Sequence, residues 1–106
     1  MRTKAVRLYG ENDIRLEEFE LPQIGSGDIL IKVICDSVCM STYKTVKQGK
    51  KHLRVPDDVA ENPVIIGHEF CAEIVEVGEK WQEEYSVGDK VLIQSLYVWQ
   101  VTLKRV

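Results

Sequence analysis

Hydrophobic residues recur at every second position in short runs along the chain, and glycine, proline, asparagine or aspartate separates one run from the next. That period marks strands with one buried face. Residues 4–9 and 14–19 flank Gly10-Glu11-Asn12-Asp13, a turn sequence, and predict a hairpin. Residues 21–28 form a loop, and residues 29–36 a strand with Ile29, Ile31, Val33 and Cys35 on one face. Leu30 and Ile34 make its other face apolar too, which predicts a central place in a sheet. Residues 41–48 have helical spacing ended by Gly49, with Ser41 as a natural N-cap. Residues 50–62, with Pro56 and two consecutive aspartates, are a loop long enough to serve as a lid or site wall. The apolar run Val64-Ile65-Ile66 stops at Gly67, and His68 and Glu69 follow, as in a strand that delivers polar groups into a site. Residues 70–77 and 90–94 are further strands, separated by a polar loop carrying Trp81 and Tyr85 and by the Gly88-Asp89 turn. Many short strands with one or two short helices predict a mainly β fold, a closed or partly closed barrel. Residues 95–106 alternate like one more strand, which either completes the barrel or is a non-native ending.

The chain has 106 residues, 44% of them hydrophobic, enough for one globular domain. Its formal net charge of -3, with basic residues interleaved among acidic ones, argues against nucleic acid as a partner. The densest basic run, Lys44, Lys47, Lys50, Lys51, His52 and Arg54, is a solvated helix face and loop or a local anion-attracting patch. No segment has the roughly 20 apolar residues of a membrane span, and the first residues lack the apolar core of a signal peptide. A cytoplasmic location and no membrane partner are expected. An odd number of cysteines, three, makes no disulfide framework; each is a core residue, a reactive thiol or a metal ligand.

Alone, His68 and Glu69 read first as a hydrogen-bonded pair at a strand end. Cys39 changes this, because thiolate and imidazole together suit zinc, and a catalytic zinc site draws three ligands from Cys, His and carboxylate. Pairing them requires the fold to bring the end of the strand at 29–36 beside the end of the run at 64–66. Glu69 serves either as a direct ligand or beside the metal, tuning it. Cys35 lies four residues before Cys39, roughly 13 Å along an extended strand, and is expected in the core. Cys71, three positions after His68, faces the other way on a regular strand and is the weaker candidate. Ser41 follows Cys39 closely enough for its hydroxyl to take a proton from an alcohol substrate, and Lys44 lies one helical turn on. Gly25-Ser26-Gly27 fails as a dinucleotide fingerprint, since Leu30 stands where a third glycine belongs and a strand follows instead of a helix.

Cys39-Met40-Ser41-Thr42-Tyr43-Lys44, Gly67-His68-Glu69, Val75-Glu76-Val77-Gly78 and Gly88-Asp89-Lys90-Val91 stand in that order. Residues 1–94 thereby resemble the GroES-like catalytic domain of the zinc-dependent medium-chain alcohol and polyol dehydrogenases. The resemblance implies a partly closed GroES-like β-barrel, Cys39 and His68 as catalytic-zinc ligands, Glu69 beside or on the metal, and Ser41 as the hydroxyl of a proton relay. It also implies a small alcohol or polyol substrate and, in the full-length family only, NAD or NADP. Two positions depart from the family pattern. Thr42 stands where an acidic residue commonly orients the ligand histidine, and Lys44 where a histidine often ends the relay. Lys44 and the basic run after it fit a sugar-phosphate or polyol-phosphate substrate.

The structural-zinc lobe, the nucleotide-binding domain and the usual third zinc ligand are absent from this stretch, and residues 95–106 are read as a divergent tail. The isolated chain is therefore expected to lack turnover, to hold zinc poorly and to self-associate through a face the missing domain would cover. The competing reading is a freestanding GroES-like binding or assembly module without catalysis.

Overall fold

The computed structural model describes the backbone of residues 1–97 and 100–105 and the side chains of residues 1–94. The elements run β1 (Arg2–Gly10), β2 (Asp13–Glu20), β3 (Ile29–Asp36), α1 (Met40–Gln48), β4 (Val64–Ile65), β5 (Glu69–Val77), β6 (Lys90–Tyr97) and β7 (Gln100–Arg105). Short 3-10 turns occupy Gly49–Lys51 and Glu79–Trp81. Two antiparallel sheets result, ordered β2-β1-β4 and β3-β5-β6-β7, and neither strand order closes on itself. The mainly β reading holds, with the barrel left open. No helix among the described residues is long and apolar enough to cross a membrane.

The chain divides into two compact units, the first of residues 1–21 and 38–67. Its hairpin is the expected one: Leu8 faces Ile14 and Val6 faces Leu16 across the ladder, and Asn12 takes the turn with φ 55°. Asparagine tolerates this left-handed conformation because its short polar side chain bonds locally. Long side chains cover the sheet: Tyr9 donates its hydroxyl to Glu17 at 2.6 Å, the Arg15 guanidinium lies 3.9 Å from the Tyr9 ring centre, and Arg7 lies 4.9 Å from that of Phe19.

The core of this unit is Leu8 with Val55 and Val59, ringed by Val46, Val64 and Ile66. Val55 and Val59 belong to the stretch expected to be a lid or wall. It is instead folded into tight turns by bonds such as Val55 N–H to the His52 carbonyl, and it supplies two of the three residues of the hydrophobic core cluster. Helix α1 ends at Gly49, whose N–H donates to the Thr45 carbonyl and whose φ of 54° turns the following chain out of the helix. The loop Glu11-Asn12 runs directly against it, and the Asn12 N–H donates to the Val46 carbonyl at 2.8 Å.

The second unit comprises residues 22–37 and 68–106. Ala72 and Ile74 of β5 and Val91 and Ile93 of β6 are buried on one sheet face, with Ile29, Ile31, Phe70, Val77 and Tyr85 packed around them. At its far end, the carbonyls of Gly25, Ser26 and Asp28 close on Gly78, and the Trp81 indole N–H donates to the Gly27 carbonyl at 2.8 Å. The polar loop expected there is thus pinned by the tryptophan it carries.

Strand β3 lies at the edge of its sheet, not in the middle. Ile34 of the apolar second face that suggested a central strand is 53% exposed, and Val33 of the first face is exposed to the same degree. The expected face also fails to run its full length. The β3–β5 register pairs Val33 with Ala72 but Cys35 with Cys71, leaving Ile34 as an extra residue. Such a bulge shifts the alternation by one. Cys35 is thereby turned off the side of Ile29, Ile31 and Val33 and is exposed instead of being in the core.

Strand β7 pairs with β6 from Val91↔Arg105 to Tyr97↔Gln100, so the tail continues the sheet as a strand. The alternation of its side chains and the last residue lie outside the described residues.

Candidate functional site

Cys39 is half-buried and holds the N-cap position of α1 with extended backbone, φ -112° and ψ 134°. Its carbonyl accepts the Thr42 and Tyr43 N–H groups, which starts the helix. Ser41 was the expected cap; the structure places it inside the first turn, because the helix begins at Met40. Two of the contacts of Ser41 are local. Its Oγ lies 3.1 Å from the Cys39 Sγ, and its carbonyl accepts the Thr45 hydroxyl at 2.8 Å. A thiol and a hydroxyl therefore sit together at the helix start, one able to donate to the other.

Thr42 reaches toward the Ile66 carbonyl at 3.4 Å. This is a long contact, and a threonine hydroxyl there gives up the negative charge an acidic residue would bring. Lys44 is exposed on α1, and the Lys47 ammonium lies 5.6 Å from the Tyr43 ring centre. Among the described residues, the ion pairs of this unit join the N-terminus and β1 to β2 or lie within β2, and none engages Lys44, Lys50 or Lys51.

His68 and Glu69 open the second unit's share of the chain, both half-buried. The strand delivering them is shorter than the apolar run suggested. β4 stops at Ile65, residues 66–68 are irregular, and β5 starts at Glu69. Glu69 is held at three points: the register sets it opposite Gln94, its carbonyl accepts the Ser37 N–H at 3.0 Å, and its Oε1 accepts the Gln94 amide at 3.3 Å. Gln94 was not singled out from the sequence. Its signal was available only through register, once the Gly88-Asp89 turn fixes which β6 residue faces Glu69.

The β3–β5 ladder ends in the same place. The Ser37 N–H also donates to the Asp36 carboxylate at 2.8 Å, so the last residues of β3 are fixed against the first of β5. A cavity of about 450 Å³ opens there, lined by Cys35, Asp36, Cys71, Leu92 and Gln94 among others.

These features meet known proteins at one point. The family model for the alcohol dehydrogenase GroES-like domain matches residues 25–104, and the chain belongs to that family. Over 93 residues it is 52% identical to L-sorbose 1-phosphate reductase of Klebsiella pneumoniae, covering 88% of this chain and 23% of that protein. It is 47% identical to mannitol-1-phosphate 5-dehydrogenase of Aliivibrio fischeri, again over 88% of this chain and 22% of the relative. Among solved structures it is similar to 2R,3R-butanediol dehydrogenase of Bacillus subtilis, with a TM-score of 0.75 and 36% identity over 89% of this chain and 28% of that one. The chain thus spans about a quarter of the length of these dehydrogenases.

Proposed function

We propose that this chain is the catalytic-domain portion of a zinc- and NAD(P)-dependent dehydrogenase acting on a polyol or sugar phosphate. One observation carries the site: the Ser37 N–H bonded to the Glu69 carbonyl. Cys39 follows Ser37 by two residues, at most about 7 Å of extended chain, and His68 directly precedes Glu69. Thiolate, imidazole and carboxylate drawn from those three residues are a donor set that zinc accepts.

When bound, zinc would supply Lewis acidity toward an alcohol oxygen, and NAD(P) would supply the hydride acceptor. Cys39 and His68 hold the metal, and Glu69 completes the set or stands beside it, oriented by Gln94. The Ser41 hydroxyl, 3.1 Å from the Cys39 sulfur, accepts the substrate's proton on a lone pair and releases its own O–H proton toward solvent, its O–H turned away from sulfur for that step. Lys44 contributes positive charge at the exposed face of α1, where it attracts a substrate phosphate. The two sugar-phosphate and polyol-phosphate relatives support that substrate class.

NAD(P) binding falls to the part of such enzymes outside the matched quarter, so the 106 residues alone give no turnover. The exposed Val33 and Ile34 on the edge strand favour self-association, which sedimentation at rising concentration reads directly. Zinc titration tests the site. Cys39→Ala or His68→Ala should each weaken zinc affinity at least about 100-fold, since losing a mere supporting residue already costs 10–100-fold. Unchanged affinity in either variant would show that the ligands are wrong. Equal use of phosphorylated and unphosphorylated polyols by a longer polypeptide containing this chain would remove the phosphate assignment.

A further inference from the structure

Cys35 and Cys71 are direct partners across the β3–β5 ladder, and both line the cavity of about 450 Å³ at its end. The bulge at Ile34 is what brings them together. Without the extra residue, Cys35 would share the face of Val33; with it, Cys35 falls on the side of Cys71, away from the buried Ala72 and Ile74. Leu92, facing Cys71 from β6, is 51% exposed, so this face is open to solution.

We propose that Cys35 and Cys71 form a reversible cross-strand disulfide, a redox modification site that opens or staples the end of the β3–β5 ladder. Both are free thiols in the structure, one exposed and one half-buried. Directly opposed residues in an antiparallel pair have Cα atoms about 5.5 Å apart when they exchange backbone hydrogen bonds, inside the range disulfides use. The Ser37–Glu69 bond sets that phase: counting back two pairs along the register returns to a hydrogen-bonded pair at Cys35–Cys71. The Cβ atoms of such a pair start roughly 1 Å too far apart for a relaxed bridge. The bulged strand must yield by that amount, which makes the bond reducible and suits it to a switch instead of a permanent staple.

The oxidant is a low-molecular-weight disulfide. One protein thiol attacks it, a sulfur–sulfur bond breaks and one small thiol leaves. The second protein thiol then displaces the other small thiol from the mixed disulfide. Two S–H groups of the protein are lost, one S–S bond is gained, and the small disulfide departs as two thiols.

The test incubates the 106-residue chain with oxidised glutathione, blocks remaining thiols with iodoacetamide and maps peptides by mass spectrometry. The expected product joins the Cys35 and Cys71 peptides, leaves Cys39 alkylated, persists in Cys39→Ser and reverts with dithiothreitol. Cys35→Ser should abolish it and leave only glutathionylated Cys71. A link from Cys39 to either cysteine, mixed disulfides alone in the unsubstituted chain, or three alkylated cysteines after oxidation would overturn the proposal.

Discussion

Three glycines separate two physical reasons for having no side chain, and a set of alanine substitutions should return them in a fixed order. Gly88 has φ +91° but no atom within 4 Å of where a Cβ would stand, so Gly88→Ala reports the conformational penalty alone. Gly78 has an ordinary φ of -65°, but a Cβ would meet the carbonyl oxygens of Gly25, Ser26 and Asp28 at 2.6, 2.6 and 2.7 Å. Gly49 combines both: φ +54°, with a Cβ set against the Glu11 N and 2.8 Å from the Glu11 Cα. An L residue in left-handed backbone costs about 1–2 kcal/mol. Overpacking costs about 1–3 kcal/mol, and these neighbours are backbone, which cannot rotate aside. Alanine returns about 0.4–1 kcal/mol by stiffening the unfolded chain. The net losses come to about 1 kcal/mol for Gly88→Ala, about 2 for Gly78→Ala and about 3 for Gly49→Ala. At about 4–8 °C per kcal/mol, the melting temperatures fall in the same order by about 5, 10 and 15 °C. Urea unfolding followed by circular dichroism measures the set, with Gly10→Ala as the control, since nothing lies within 4 Å of its missing Cβ. If Gly49→Ala costs no more than Gly88→Ala, the close approach of the Glu11 loop to the helix end is not a constraint and the reasoning fails.

Ile74→Ala empties a fully buried site between β5 and β6 and should lose about 2–5 kcal/mol, against about 1 for Ile74→Val; equal losses would mean the core collapses around either. The Arg15 guanidinium, hydrogen-bonded to Asp13 at 2.9 and 3.0 Å, holds the Asp13 carboxyl below its ordinary value of 3.8. Its stabilisation is therefore present above pH 3.8 and lost as pH falls through the lower folded value. The melting temperatures of the chain and its Asp13→Asn variant should differ at pH 6 and converge toward pH 2, and a gap that widens in acid would refute the assignment. Gln94→Leu removes the amide from Glu69 and, on the proposed site, should weaken zinc by about 10-fold with no loss of the β5–β6 pairing by circular dichroism. An unchanged affinity would take Glu69 out of the metal's surroundings.

Period-two alternation and turn residues sufficed for the hairpin, for the strands at 29–36, 70–77 and 90–94, and for a helix stopped at Gly49, because each is set by contacts a few residues apart. Ordered motifs around Cys39, His68 and Gly88 sufficed for the family. Neither could locate Val55 and Val59, whose burial depends on Leu8 about fifty residues earlier. The N-cap position passed from Ser41 to Cys39, which makes no side-chain cap bond there, so a capping side chain is not what sets the helix start.

What the sequence determined by itself is the menu of elements and the donor chemistry: a thiol, an imidazole and a carboxylate near strand ends, with a hydroxyl beside the thiol. What only the tertiary structure decided is which residues face one another. A one-residue bulge at Ile34 reverses every side chain after it, and no local pattern announces such a bulge. It took Cys35 out of the expected core and set it opposite Cys71, while register alone put Gln94 on Glu69. Pairing between strands is a long-range choice made by the whole sheet's burial, and so it is legible only once the sheet exists.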